Sequence, residues 1–217
     1  MDDGKRAELL MEHYKDTFEH ILYHWKARNR LFAFILILLA ILALDLAQPG
    51  SLAQVTNAYI AKTLTADAAH AGGQAAKLPV LDFSAVGSLS WFALLCLVIQ
   101  YYQRSIHVDR QYKYIASVEQ KLSELAGHDF VTREGKAYLS ASGAGDANGT
   151  GKRPLYLRAV GPLYVYVFPA VLSLFVLGSL YRGGWHPGEV TFWLNVVFGI
   201  AIVFYNALYL RWVARRK

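Results

Sequence analysis

The sequence predicts an all-helical membrane protein with four transmembrane helices, a cytoplasmic helical stalk and a small β-hairpin. Hydrophobic residues make up 55% of the 217 residues and are concentrated in long blocks, whereas a soluble core would spread them along the chain. Lys and Arg gather in alternate segments between these blocks, as in multi-pass membrane proteins. Apolar stripes of helical spacing lead into the first block and out of the second, which predicts helices that extend beyond the membrane.

Each of the four blocks is long enough to cross a bilayer. The first holds one charged residue, Asp45, and at 1.5 Å per residue it covers about 27 Å of the hydrocarbon layer. The third contains Pro169, where we expect a kink, because proline removes a backbone donor and crowds the preceding turn. The predicted spans are residues 31–48, 83–103, 157–181 and 190–212. The other segments are an amphipathic helix (1–30), an extracytoplasmic loop (49–82), a cytoplasmic helix, hairpin and flexible linker (104–156), a short outer loop (182–189) and a basic tail (213–217).

The distribution of basic residues predicts the orientation. Of the 22 Lys and Arg residues, 19 fall before the first span, between the second and third (counting Arg158 at the start of the third), or at the end of the fourth and beyond it (counting Arg211). Cytoplasmic loops carry such an excess, so we expect both termini on the cytoplasmic side of a cell inner membrane. Topology accounts for the net charge of +6, and the sequence predicts no specific nucleic-acid binding.

Two apolar stripes predict the cytoplasmic stalk. Their spacing of three or four residues is that of one helix face. Because both stripes leave the same membrane face, we expect them to pack against each other or against another subunit. The first stripe consists of Leu10, Tyr14, Phe18, Ile21 and Trp25, and the second of Val108, Ile115, Val118, Leu122 and Leu125.

The segment DFVTREGKAYL, residues 129–139, predicts a β-hairpin with glycine at its turn. Three charged residues, Arg133, Glu134 and Lys136, surround that glycine. They would form either a docking point for a cytoplasmic protein, anionic lipid headgroups or a nucleotide, or a solvated turn.

Three histidines in the first amphipathic helix are candidate metal ligands or pH sensors. His13, His20 and His24 lie seven and four residues apart, which places them on one narrow strip. Imidazole binds metals and titrates near neutral pH. The alternative is a polar strip on a surface helix.

Polar and small residues share faces of the last two spans. Either they allow close packing and hydrogen bonding between helices, or an oligomer turns them toward a central pore, because one four-helix bundle has too little interior for a water path. No Lys, Arg, Glu or His lies at mid-membrane depth, which disfavours ion-coupled transport. The candidate residues are Tyr166, Ser173, Asn195, Gly199, Asn206 and Tyr209.

The usual catalytic signatures, GxSxG, HExxH, CxxC and SxxK, do not occur in the sequence. Each would place a nucleophile, base or metal in a known geometry. We therefore expect a protein that is not an enzyme and needs no cofactor.

From HYKDTFEHILYHWKARNRLF, which begins at His13, through the second span to Leu125, the chain resembles the SLATT group of small bacterial membrane proteins in its layout. That resemblance covers about residues 10–125 and implies a membrane effector of a bacterial conflict or antiviral defence system. Such an effector is expected to oligomerise and to permeabilise the membrane, as a channel would. The alternative from the residues themselves is a membrane anchor or scaffold subunit that recruits a soluble partner through the stalk.

Overall fold

Four helices long and apolar enough to cross a membrane form the protein in a computed structural model, which describes residues 3–48, 59, 83–127, 161–182 and 187–215. They are α1 (Asp3–Ala47), α2 (Phe83–Ala126), α3 (Phe168–Arg182) and α4 (Val190–Ala214). The third candidate span, Leu163–Arg182, combines α3 with the helical turn that precedes it. The described residues contain no strand. The sequence prediction of an all-helical protein with four candidate spans is confirmed.

The chain divides into two compact units. The first comprises Met1–Ala33 and Ile99–Val160, and the second comprises Phe34–Val98 and Gly161–Lys217. Helices α1 and α2 therefore each contribute to both units, and neither is interrupted where the units divide. We call the α1 and α2 residues of the first unit the polar module, and the helical residues of the second the membrane unit.

In the polar module, α1 and α2 pack against each other in antiparallel directions. Within the module, residues near the start of α1 contact residues near the end of α2, and residues further along α1 contact residues earlier in α2. The contacting pairs are His13 with Tyr114, Tyr14 with Glu119, His24 with Arg104, and Phe32 with Tyr101. The pairing follows from the two apolar stripes, each of which has a partner stripe to bury against.

Residues of both predicted stripes form the core of the polar module. Ile21 and Ile115 are fully buried, and Val118 and Leu122 are nearly so. Burying one such side chain contributes roughly 1.5–3 kcal/mol. Trp25 and Leu125, also predicted on the stripes, are instead exposed.

A buried polar contact accompanies this apolar core. Glu119 is fully buried, and the Tyr14 hydroxyl donates a hydrogen bond of 3.2 Å to its Oε1. A buried carboxylate needs such donors because desolvation is costly. Helix α2 ends directly after Ala126, where Gly127 adopts φ 70°, a left-handed conformation that glycine adopts without steric cost.

In the membrane unit, α3 packs on α4, and a π-helical turn precedes α3. The turn covers Leu163–Val167, and the Phe168 N–H donates to the Leu163 carbonyl five residues back. Pro169 follows at once. A wider turn at this point accommodates a ring that would crowd an α-helical turn. The kink expected at Pro169 stays a prediction.

The predicted hairpin at residues 129–139 lies outside the described residues, and since the described ranges hold no strand, the hairpin is not supported. The predicted flexible linker and most of the loop between α1 and α2 also lie outside these ranges.

Candidate metal centre

The polar module brings three histidines together. His20 and His24 lie one turn apart on α1, with ring centroids 5.1 Å apart. A spacing of four residues places two side chains one above the other on the same helix face. This arrangement is the one by which a single helix offers two imidazoles to one metal ion.

Helix α2 supplies the third imidazole, from His107. Its ring centroid lies 4.4 Å from that of His24, and the two rings are inclined by 73°. Each of the three histidines has a ring nitrogen within 4.8 Å of those of the other two. His24 is 8% exposed, whereas His20 and His107 are exposed. The cluster therefore has one buried member flanked by two that reach solvent.

Arg104 lies against the buried histidine. Its guanidinium Nη1 donates a hydrogen bond to His24 Nδ1. Arginine carries no acceptor, so this nitrogen of His24 is the unprotonated one. Burial lowers the pKa of His24 below its ordinary value, and the positive charges of His107, Arg104 and His20 lower it further. His24 is consequently neutral at physiological pH, with a lone pair directed at Arg104.

Imidazole nitrogens are suitable ligands for a transition metal. Zn²⁺ binds histidine nitrogens at about 2.0–2.1 Å, so tetrahedral ligation requires nitrogens roughly 3.3 Å apart. The observed spacing of up to 4.8 Å exceeds this by about 1.5 Å. Rotation of His20 and His107, both exposed, can close that gap without moving the helices.

His13, the first residue of the predicted strip, does not join the cluster. Its Nε2 and the Tyr114 hydroxyl are hydrogen-bonded at 2.7 Å, and the two rings meet edge to face. The strip predicted from spacing is therefore divided, because His20 and His24 face His107 while His13 pairs with an α2 residue further along.

Helix spacing alone could not reveal His107, which is 83 residues from His24 in the sequence. A signal did exist in the predicted topology, in which the first span begins at residue 31 and the second ends at residue 103 on the same side of the membrane. His24 lies seven residues before the first of these points. Seven residues beyond the second point is Arg110, less than one turn from His107. Antiparallel pairing of the two stripes thus brings His107 to the level of His24.

In the membrane unit, Asn206 joins α4 to α3. Its side-chain amide donates to the Pro169 carbonyl at 3.1 Å and lies 2.8 Å from Ser173 Oγ, which itself donates to the same carbonyl. Asn206 is 1% exposed. Proline cannot donate a backbone hydrogen bond, but its carbonyl here accepts hydrogen bonds from two side chains.

The other predicted face residues occupy varied positions. Gly199 is buried against Val176 and Leu180 of α3, and Tyr209 is buried with its ring stacked near Trp212. Tyr166 is 39% exposed. Asn195 is partly buried, and its Oδ1 has no hydrogen-bond partner among the described residues.

The predicted docking residues Arg133, Glu134 and Lys136 lie outside the described residues. No protein-family model, curated protein or solved structure matches this chain.

Proposed function

We propose that this chain is a non-enzymatic, oligomeric membrane effector in which the polar module receives a signal and the spans respond by opening a path through the membrane. The observation that carries the proposal is the continuity of α1 and α2, which run as single helices of 45 and 44 residues. A hydrogen-bonded helix is stiff, so rotation or tilt of its polar half changes the position of its apolar half.

Oligomer formation is supported by the exposed apolar surface of the candidate spans. In the most apolar window of each candidate span, between 6% (α1) and 33% (α2) of the residues are buried. The outward surface is available to lipid and to further copies of the chain. The α1 window, almost unburied, is the best candidate for a lipid-facing anchor.

The path, in this proposal, lies between copies and not within one chain. The faces of α3 and α4 that carry Ser173, Gly199 and Asn206 pack against each other. These faces are therefore not free to line a path. Tyr166 and Asn195, respectively exposed and partly buried, remain candidates for lining a path in an assembly.

The basic-residue asymmetry and the resemblance to SLATT proteins extend the proposal. They support a location of the module, the tail and both termini in the bacterial cytoplasm, and they favour antiviral defence as the biological setting. In this proposal, the segment around Arg133, Glu134 and Lys136 docks the protein partner that delivers the signal.

Helix continuity gives the test. Purified protein is reconstituted in liposomes loaded with a self-quenching dye. Dye release is measured for the wild type and for two variants, each of which carries a seven-residue insertion both after Arg30 and after Gln103. An alanine-rich insertion preserves the helix, and because seven residues make about two turns, the side chains on either side of it keep nearly the same direction. An insertion of glycine and serine interrupts the helix. We expect release from the wild type and from the helical variant, and altered release from the flexible variant. A wild type that is strictly monomeric and leaves liposomes sealed would overturn the proposal.

The alternative function, a membrane anchor for a soluble protein, is favoured by the charged outer face of α1, on which Lys5, Glu12, Lys15 and Asp16 are exposed. On that alternative, charge reversal at Lys15 and Asp16 abolishes co-purification of a partner, and dye release is absent in every sample. The liposome experiment therefore separates the two functions.

A further inference from the structure

We propose that His20, His24 and His107 bind one divalent transition-metal ion, with Zn²⁺ the best fit, and that Arg104 competes with the metal for His24. The site lies wholly within the polar module. The inference does not depend on the proposed function, since metal binding can be measured in a protein that conducts nothing.

The first argument is geometric. Two ligands one turn apart on a helix, joined by a third from the antiparallel neighbour, converge on one point from two elements. A lone surface histidine has no such convergence. The nitrogens need to approach by about 1.5 Å for tetrahedral ligation, and two of the three side chains are exposed and free to rotate.

The second argument is the donor type. All three donors are imidazole nitrogens, which suit Zn²⁺, Cu²⁺ and Ni²⁺, whereas Ca²⁺ and Mg²⁺ require oxygen ligands. Three protein ligands leave a fourth position for water, as in open zinc sites. Exposure of His20 and His107 gives that position access to solvent.

Arg104 adds a competitor for the metal. It donates to His24 Nδ1, so its guanidinium occupies the lone pair of one of the two ring nitrogens through which His24 can bind a metal. Binding at this nitrogen exchanges the guanidinium for the metal and leaves the proton on Nε2 in place, so no proton is gained or lost by His24. The arginine, once displaced, also carries a positive charge that repels the metal.

Metal binding would join α1 to α2 at the end of the polar module nearest the spans. His24 precedes the predicted first span by seven residues, and His107 follows the predicted second by four. A ligand that binds only the paired arrangement of these helices stabilises that arrangement. The site could thus couple metal availability to the pairing of the two long helices.

The test uses full-length protein, purified in detergent with no polyhistidine tag and stripped with a chelator. Zn²⁺ is titrated at pH 7.5 into the wild type and into the variants His20→Gln, His107→Gln and His13→Gln. We expect one equivalent to bind the wild type and His13→Gln equally. Loss of a residue that only supports a metal ligand lowers metal affinity by about 10- to 100-fold. The two ligand variants should lose more affinity than that. Co²⁺ should give the visible absorption of tetrahedral coordination in the wild type and in His13→Gln, but not in the two ligand variants.

The competition is tested with Arg104→Met, which keeps the length of the side chain and removes its charge and donors. We expect tighter Zn²⁺ binding than in the wild type. Circular dichroism and elution volume check the fold, and His20 and His107 are exposed, so their replacement by glutamine should not affect folding. Equal Zn²⁺ affinity in the wild type and both ligand variants would overturn the metal site. Unchanged or weaker binding in Arg104→Met would overturn the competition.

Discussion

Asn206 shows at the residue scale how a polar side chain can stabilise helix packing in a membrane. Its amide bridges α4 to the Pro169 carbonyl and Ser173 on α3, while the Oδ1 of Asn195, eleven residues earlier on the same helix, has no hydrogen-bond partner within the described ranges. The two asparagines form a matched pair for experiment, because one substitution removes hydrogen bonds and the other removes an uncompensated polar atom.

We predict that Asn206→Leu lowers the free energy of unfolding by about 1–2 kcal/mol, since hydrogen bonds between membrane helices contribute on average about 0.6 and at most about 1.7 kcal/mol each. Asn195→Leu should be neutral or stabilising, because an amide oxygen that is shielded from solvent and has no hydrogen-bond partner is costly. Thermal or denaturant unfolding in detergent measures both. Equal destabilisation by the two changes would contradict the assignment of Asn206 as the interhelical contact.

His24 makes a pH-dependent contribution at the same scale. The charged groups facing it are His20 on its own helix and Arg104 and His107 on α2, and together with burial they lower its pKa. The unfolded chain therefore takes up a proton at a higher pH than the folded one. The stability that the neutral histidine provides is present above the ordinary histidine pKa of about 6.5 and is lost as the pH falls through the folded value.

We predict that the chelator-treated wild type loses stability between pH 7.5 and pH 5.5 more steeply than His24→Gln, which cannot titrate at this position. Melting temperatures of both proteins across that range provide the measurement, with His13→Gln as the control that should follow the wild type. Parallel curves for the wild type and His24→Gln would show that protonation of His24 does not oppose folding.

At the scale of helices, the contact between α3 and α4 depends on the absence of a side chain at Gly199. A Cβ placed there would lie 2.9 Å from Leu180 Cδ1 and 3.2 Å from Val176 Cγ1. Gly178 on α3 offers the comparison, because a Cβ there meets nothing within 4 Å. Small residues of this kind let membrane helices approach closely.

We predict that Gly199→Leu destabilises the protein by about 1–3 kcal/mol, the usual cost of overpacking, and that Gly178→Leu changes stability little. The Gly199→Ala variant should lie between them, since the nearest atom is the end of a flexible leucine side chain. Unfolding in detergent again provides the measurement. A Gly178→Leu variant as unstable as Gly199→Leu would indicate that α3 is sensitive to any added bulk.

For the whole molecule, the basic-residue count leads to a prediction about orientation. Lys and Arg retained on the cytoplasmic side determine how a short-looped chain inserts. A reporter fused at either terminus, or inserted after Gly145, should therefore be active only if it is a cytoplasmic reporter such as a fluorescent protein. A periplasmic reporter such as alkaline phosphatase should be active after Ala69. Phosphatase activity at either terminus would reverse the orientation proposed for the polar module.

How much could be predicted from the sequence differs between kinds of feature. The four spans and the helical stripes are local properties, since length, hydropathy and spacing act within one segment, and the described helices agree with them. The β-hairpin illustrates the limit of the same approach. Two short segments flanking a glycine are compatible with strands, but an isolated hairpin is marginal, and the described ranges contain no strand that would pair with it.

The sequence alone determined that the chain has four helices able to cross a membrane, that the first two extend into polar helices, and that His20 and His24 share a face. Only the tertiary structure decided that His107, and not His13, completes the cluster. It also decided that Arg104 donates a hydrogen bond to His24 and that Asn206 donates one to the Pro169 carbonyl. The physical reason is common to these cases. A helix face is set by the residues of that helix, whereas the partner of a face is set by the register in which two distant helices bury their apolar stripes.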